Sequence, residues 1–91
     1  MHKWTKKDDT ITFYLFKFGL ERVPYTKAQI AKRIRVSRGS LAWRLGNFKA
    51  ITGEGKADHF APLSLRIYSE FKNTPELAVR KRAFPELSKG K

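Results

Sequence analysis

Cysteine and long apolar runs are both absent from this chain of 91 residues. Without cysteine, a disulfide scaffold and a zinc site built on thiolates are excluded. No apolar segment approaches the length of a membrane span, and the first residues lead into polar sequence rather than into a signal peptide. We therefore expect no contact with a membrane and a cytoplasmic location, nucleoid-associated if the protein is bound to DNA.

Residues suited to catalysis are also scarce. His2 and His59 are isolated from each other, and Asp58 is the only acid close to His59. The sequence contains no Gly-rich phosphate loop after a strand, no paired carboxylates in a catalytic context and no HNH signature. We expect that the protein is not an enzyme and that it binds no metal, no cofactor and no small-molecule ligand.

Acidic residues are missing from the middle of the chain. Between Arg22 and Gly53 there are eight Lys or Arg residues and no Asp or Glu. The net charge of the whole chain is +12, which points to a polyanionic partner. A single cation on a helix is often only a solvated residue, but eight cations without a compensating acid repel one another.

A first helix is predicted over about residues 6–18. Thr5 and Asp8 have the spacing of a capping box, and Gly19 is expected to end the helix. Residues 10–18 are also rich in side chains that favour strands, so a strand is the alternative for this segment.

Two further helices are predicted at 27–34 and 38–49. Thr26 with Gln29 forms a second capping box, and Ser37 is a suitable N-cap for the later helix. Because the connection between these two helices is so short, we expect them to cross steeply as a helix-turn-helix.

The C-terminal part is predicted to add a fourth helix from Pro62 and a fifth from Thr74-Pro75 to about Ala83, which Pro85 stops. The fold class is therefore all-α, a compact bundle of four to five short helices containing a helix-turn-helix. We expect a DNA-binding domain over residues 1–73, followed by a short basic helix and tail over 74–91.

Five short motifs are spread over about three quarters of the chain: Trp4-Thr5, Phe13-Tyr14-Leu15, Ile30-Ala31, Leu45-Gly46-Asn47-Phe48 and Ile67-Tyr68-Ser69-Glu70-Phe71. Together they resemble the small helical N-terminal module that precedes many bacterial HNH-type endonucleases. The resemblance implies a DNA-binding adaptor, here without the nuclease domain. The chain departs from a generic helix-turn-helix at Arg35, which occupies the position usually given to glycine.

The third helix supplies the candidate contacts to DNA bases. Leu41, Leu45 and Phe48 share one face, which should point into the core. Side chains of the opposite face and its flanks can bond base edges in the major groove, and they are Arg38, Ser40, Trp43, Arg44 and Asn47. Two of these have a structural alternative, since Trp43 can pack on the first or fourth helix and Asn47 can brace its own helix end.

Cations and a serine around the same helices are the candidate phosphate contacts, which hold the protein on the duplex without regard to sequence. They are Lys27, Lys32, Arg33, Arg35, Ser37 and Lys49. The predicted function is binding of double-stranded DNA, with a regulatory or DNA-targeting role that can involve a separate effector protein. The alternatives are a protein-interaction adaptor that docks on an acidic partner and an RNA-binding module.

Overall fold

The computed structural model describes residues 2–53 and 60–88. Over these residues it contains no strand, one short 3₁₀ helix at Pro85–Ser88 and five α-helices: α1 (Lys6–Phe18), α2 (Lys27–Ile34), α3 (Arg38–Thr52), α4 (Pro62–Phe71) and α5 (Glu76–Ala83). The all-α prediction is confirmed. His59 and its neighbour Asp58 lie outside the described residues.

The first helix, α1, is buried almost all round. The consecutive residues Asp9–Leu15 are all buried, because α3, α4 and α5 pack on different sides of α1. Phe13 and Phe16 both contact Phe48 of α3, each with ring centroids 5.7 Å apart. A helix enclosed on several sides needs no single apolar stripe, and the strand alternative for residues 10–18 is wrong.

The capping patterns seen in the sequence are present in the structure. Thr5 Oγ1 accepts a hydrogen bond from the Asp8 amide, and the Asp8 carboxylate accepts one from the Thr5 amide, both at 3.1 Å. Thr26 and Gln29 make the same reciprocal pair at 3.1 and 2.8 Å. Each box satisfies two amides at a helix start.

The connection between α2 and α3 consists of three residues, of which Arg35 has a left-handed backbone (φ 74°, ψ 42°). Its amide donates to the carbonyl of Lys32 at 3.0 Å, and the Val36 amide donates to that of Ala31 at 2.9 Å. These bonds close the end of α2 as a Schellman motif, usually made by glycine. Ser37 Oγ then accepts from the Ser40 amide at 3.0 Å and caps α3.

Two helix boundaries differ from the prediction. The third helix runs to Thr52 rather than to about residue 49, because the left-handed residue that ends it is Gly53 (φ 81°). The N-cap of α5 is Pro75 rather than Thr74, and it makes no side-chain cap. Pro75 has an extended backbone (φ −60°, ψ 151°), so the helix begins one residue later than expected.

The last helix completes the core. Val79 and Ala83 of α5 and the following Phe84 are fully buried, and the Phe84 ring lies edge-on to Tyr14 at 5.6 Å. No helix in the described part of the chain is both long and apolar enough to cross a membrane.

Candidate nucleic-acid interface

Most acidic side chains among the described residues have a basic side chain close to them. Five acids have a cationic or histidine partner within 4.0 Å, and these are Asp8, Asp9, Glu70, Glu76 and Glu86. Three of the eight central cations belong to these pairs, namely Arg22, Arg33 and Arg44. The other five are exposed and have no ion-pair partner in the described residues: Lys27, Lys32, Arg35, Arg38 and Lys49.

The first two turns of α3 present an open surface. The residues from Ser37 to Ser40 are exposed, as is Ala42. The Trp43 side chain is 81% exposed, so the alternative in which its ring packs on the first or fourth helix is not observed. We call the exposed residues Arg38, Gly39, Ser40, Ala42 and Trp43, together with the half-buried Gly46, the α3 outer face.

Arg44 does not belong to this outer face, although the sequence placed it among the base contacts. Its Nε and Nη2 donate to the two carboxylate oxygens of Asp9 at 2.8 and 2.6 Å. The two side chains are only 12% and 0% exposed, and the guanidinium lies 4.6 Å from the centroid of the Trp4 ring. Ser64 Oγ donates to Asp9 as well, at 3.1 Å. The Arg44 prediction is corrected, because this pair joins α1, α3 and α4.

Asn47 is likewise engaged within the fold. Its Oδ1 accepts a hydrogen bond from the amide of Ala61, the N-cap of α4, at 2.8 Å. Its Nδ2 donates to the carbonyl of Trp43 at 3.4 Å. Asn47 therefore bonds the amide of the residue that precedes α4, and not the end of its own helix as the structural alternative expected. Both polar atoms of its amide group are engaged within the fold, which does not favour the predicted base contact.

Arg33 is held by residues of the C-terminal segment rather than left free for a phosphate. Its Nη2 donates to Glu86 Oε1 at 2.8 Å, and its guanidinium lies over the rings of Tyr25 and Phe84 at 5.5 and 5.1 Å. The hydrogen bond from Arg33, with a further one from Tyr25, lowers the pKa of Glu86 to about 2. Unlike Arg44, Arg33 is exposed, so its pairing with Glu86 competes with a phosphate contact, and the phosphate role stays a prediction.

A partial signal for the Arg44 contact exists in the sequence. Asp9 is followed closely by the apolar residues Ile11, Phe13, Tyr14 and Leu15, and an acid is almost never fully buried unless it is paired. The pattern therefore called for a cation from elsewhere in the chain. It did not say which of the twenty Lys and Arg residues would supply it.

Two glycines of the α3 outer face have no steric reason within the fold. A Cβ added at Gly46 would meet no atom within 4 Å, and one at Gly39 would meet only Ser37 Oγ, at 3.7 Å. Gly39, Ala42, Trp43 and Gly46 together line a shallow depression. Packing therefore explains neither glycine, and Gly46, in the helix interior, costs about 1 kcal/mol relative to alanine.

No protein-family model matches the chain, and no curated protein or solved structure is significantly similar to it. The resemblance to the modules that precede HNH-type endonucleases therefore stays a prediction. Within the described residues, no three His, Asp or Glu side chains lie close enough together to hold a metal ion.

Proposed function

We propose that the protein binds double-stranded DNA, with α2 and α3 acting as a helix-turn-helix and the α3 outer face entering the major groove. The observation that carries this proposal is the charge of the surface. Arg38 on the outer face and four further cations of α2, the connection and α3 are exposed without acidic partners in the described residues, and Trp43 on the outer face is 81% exposed. A surface of this kind attracts the phosphate backbone and releases its counterions.

Base contacts would come from the N-terminal half of α3. With Arg44 and Asn47 bound inside the fold, the exposed side chains left to meet base edges are Arg38, Ser40 and Trp43. Recognition helices commonly contact bases with their N-terminal residues, and an arginine can bond guanine through two hydrogen bonds. Lys27, Lys32, Arg35, Ser37 and Lys49 would then contact phosphates.

The two unexplained glycines support a close approach of the duplex. Since nothing inside the protein fills the space beside Gly39 and Gly46, larger side chains are acceptable to the fold there. Larger side chains would instead hold a partner away from the helix backbone. Glycine is the residue used where another molecule approaches a backbone closely.

Arg35 supports the same surface from the connection between the helices. A non-glycine residue in the left-handed region costs roughly 1–2 kcal/mol, and the Arg35 side chain is exposed without an ion-pair partner in the described residues. Glycine at this position would therefore make the folded protein more stable than arginine does. A phosphate contact gives a reason for this choice.

RNA binding is a second candidate, and the exposed ring of Trp43 is the observation that favours it. Unpaired bases stack on exposed aromatic side chains, and such stacking is the usual basis of single-strand recognition. In either case the biological role would be regulation or the targeting of a separate effector protein to nucleic acid.

An NMR titration tests the two candidates together. A random duplex, added to the labelled protein, should shift the amides of residues 35–43 and the indole N–H of Trp43. The indole of Trp4 is the internal control, because that ring packs over Arg44 inside the protein. The second probe is an RNA hairpin with an unpaired loop and the same charge as the duplex. If this hairpin shifts these resonances and the duplex does not, RNA binding replaces the duplex proposal.

A further inference from the structure

A second group of cations lies beside α1. It is on a different face of that helix from the residues that pack against α3. Lys6 and Lys7 in the first turn of α1 and Arg82 in the last turn of α5 line one open cleft. Thr10 and Phe71, both buried, contribute the rest of its lining. All three cationic residues are exposed.

The cleft keeps a positive charge after its neighbours are counted. Lys6 is 3.4 Å from Glu70, in a pair whose side chains are 60% and 37% exposed. Lys7 and Arg82 have no ion-pair partner among the described residues. The nearby Asp8 carboxylate lies 2.8 Å from His2 Nε2 and accepts a hydrogen bond from the Thr5 amide.

Folding gains little from cations in this arrangement. Positive side chains in the first turn of a helix oppose the helix dipole, and three of them around one cleft repel one another. They do form a suitable set of donors for an anion. A guanidinium offers a planar pair of donors that matches phosphate oxygens, and each ammonium adds a point charge.

We propose that the cleft between α1 and α5 binds a phosphate group. The shared chemistry is that of a tetrahedral oxyanion, which can be a backbone phosphate of a nucleic acid or a free phosphate. The proposal does not depend on α3 contacting DNA. If the phosphate belongs to a nucleic acid, the protein has two separate contact surfaces and can hold two segments of it.

The first arm of the test is an NMR titration of the full chain with inorganic phosphate at constant ionic strength. We expect saturable shifts of the amides of Lys6, Lys7 and Thr10 and of the Arg82 side-chain N–H. In the variant Lys7→Gln/Arg82→Gln the affinity should fall about tenfold or more, because two charge-assisted hydrogen bonds are lost. The matched control Arg66→Gln/Lys72→Gln removes the same charge from exposed positions outside the cleft and should keep the affinity.

The second arm uses a random duplex and the variant Arg38→Gln/Trp43→Ala, in which the α3 outer face is impaired. Cleft shifts with duplex in this variant would identify a nucleic-acid phosphate, and cleft shifts with inorganic phosphate alone would identify a free one. Non-saturable shifts with both probes, or equal losses in the cleft variant and its control, would overturn the proposal. Failure of the proposed duplex binding would look different, since the α3 resonances would then not respond to duplex in the unmodified protein.

Discussion

Arg38 and Arg44 lie on the same helix but in opposite environments. Arg38 is exposed at the start of α3 without an acidic partner in the described residues, whereas Arg44 is almost fully buried against Asp9 and Trp4. From the local sequence the two were assigned the same role. The difference shows that an acid elsewhere in the chain decides whether an arginine belongs to the fold or remains free for a partner.

The largest effect should follow from removing the buried member of this pair. Arg44→Ala leaves the Asp9 carboxylate buried without its cation, and breaking a buried pair costs about 3–5 kcal/mol. Urea denaturation should show this loss in the free energy of unfolding. Arg38→Ala is the matched control, and as an exposed substitution it should change stability by about 0.5 kcal/mol or less. Equal losses in the two variants would contradict the contrast between them.

The complementary experiment measures binding rather than stability. Arg38→Ala should weaken binding to a preferred duplex, selected from a random library, by roughly 1–3 kcal/mol, and weaken binding to random duplex much less. Lys32→Ala should weaken both alike, because a phosphate contact carries no sequence information. Fluorescence anisotropy of each variant on both duplexes provides the comparison. If no sequence is enriched in the selection, α3 does not contact bases specifically.

Substitution of Gly46 should separate stability from binding in a single residue. Gly46→Ala is expected to raise the free energy of unfolding by about 1 kcal/mol, since alanine is the better helix former and a Cβ there meets no neighbour. The same change should reduce duplex affinity if the DNA approaches the helix backbone. Thermal melts and anisotropy together give the answer. Ala50→Gly, a change of the opposite kind in the same helix, should lower stability and leave the affinity per folded molecule unaltered. Stabilisation with full retention of affinity would count against close approach.

The smallest effect concerns the paired Arg33. Because its hydrogen bond lowers the pKa of Glu86 from 4.5 to about 2, the ionised form is favoured by folding. The resulting stability is present above pH 4.5 and is lost as the pH falls from 4.5 towards 2. Glu86 is 40% exposed, so solvent screening should limit the contribution to about 1 kcal/mol or less.

The check is the pH dependence of unfolding free energy in Glu86→Gln. The variant should be slightly less stable at pH 7 and should lose less stability than the unmodified protein between pH 4.5 and 2. Glu21→Gln is the control, as Glu21 is exposed without an ion-pair partner in the described residues. Parallel curves for Glu86→Gln and the unmodified protein would show that the Arg33–Glu86 pair contributes nothing in solution.

The local features of the fold were predictable because their causes lie within a few residues. The capping boxes at Thr5 and Thr26 and the cap at Ser37 each join groups three residues apart. The apolar spacing of Leu41, Leu45 and Phe48 likewise predicted the face of α3 that is buried. Such patterns follow from helix geometry alone.

The partners of individual polar side chains were not predictable, since they depend on residues far apart in the chain. Asp9 and Arg44 are separated by 35 positions, and Arg33 and Glu86 by 53. Helical periodicity says on which side of its own helix a residue lies, but not which other helix packs there. The sequence consequently counted two arginines and an asparagine among the free side chains of the candidate site, whereas the structure shows each of them bonded to another residue of the fold.

The most direct test of the central claim is the salt dependence of duplex affinity. Five cations of α2, α3 and their connection are exposed without acidic partners in the described part of the chain, and each phosphate contact contributes about −0.9 to the slope of log affinity against log salt concentration. If four or five of them contact phosphates, the slope for a random duplex should be about −4. A slope near zero would contradict the proposal that these cations bind the DNA backbone.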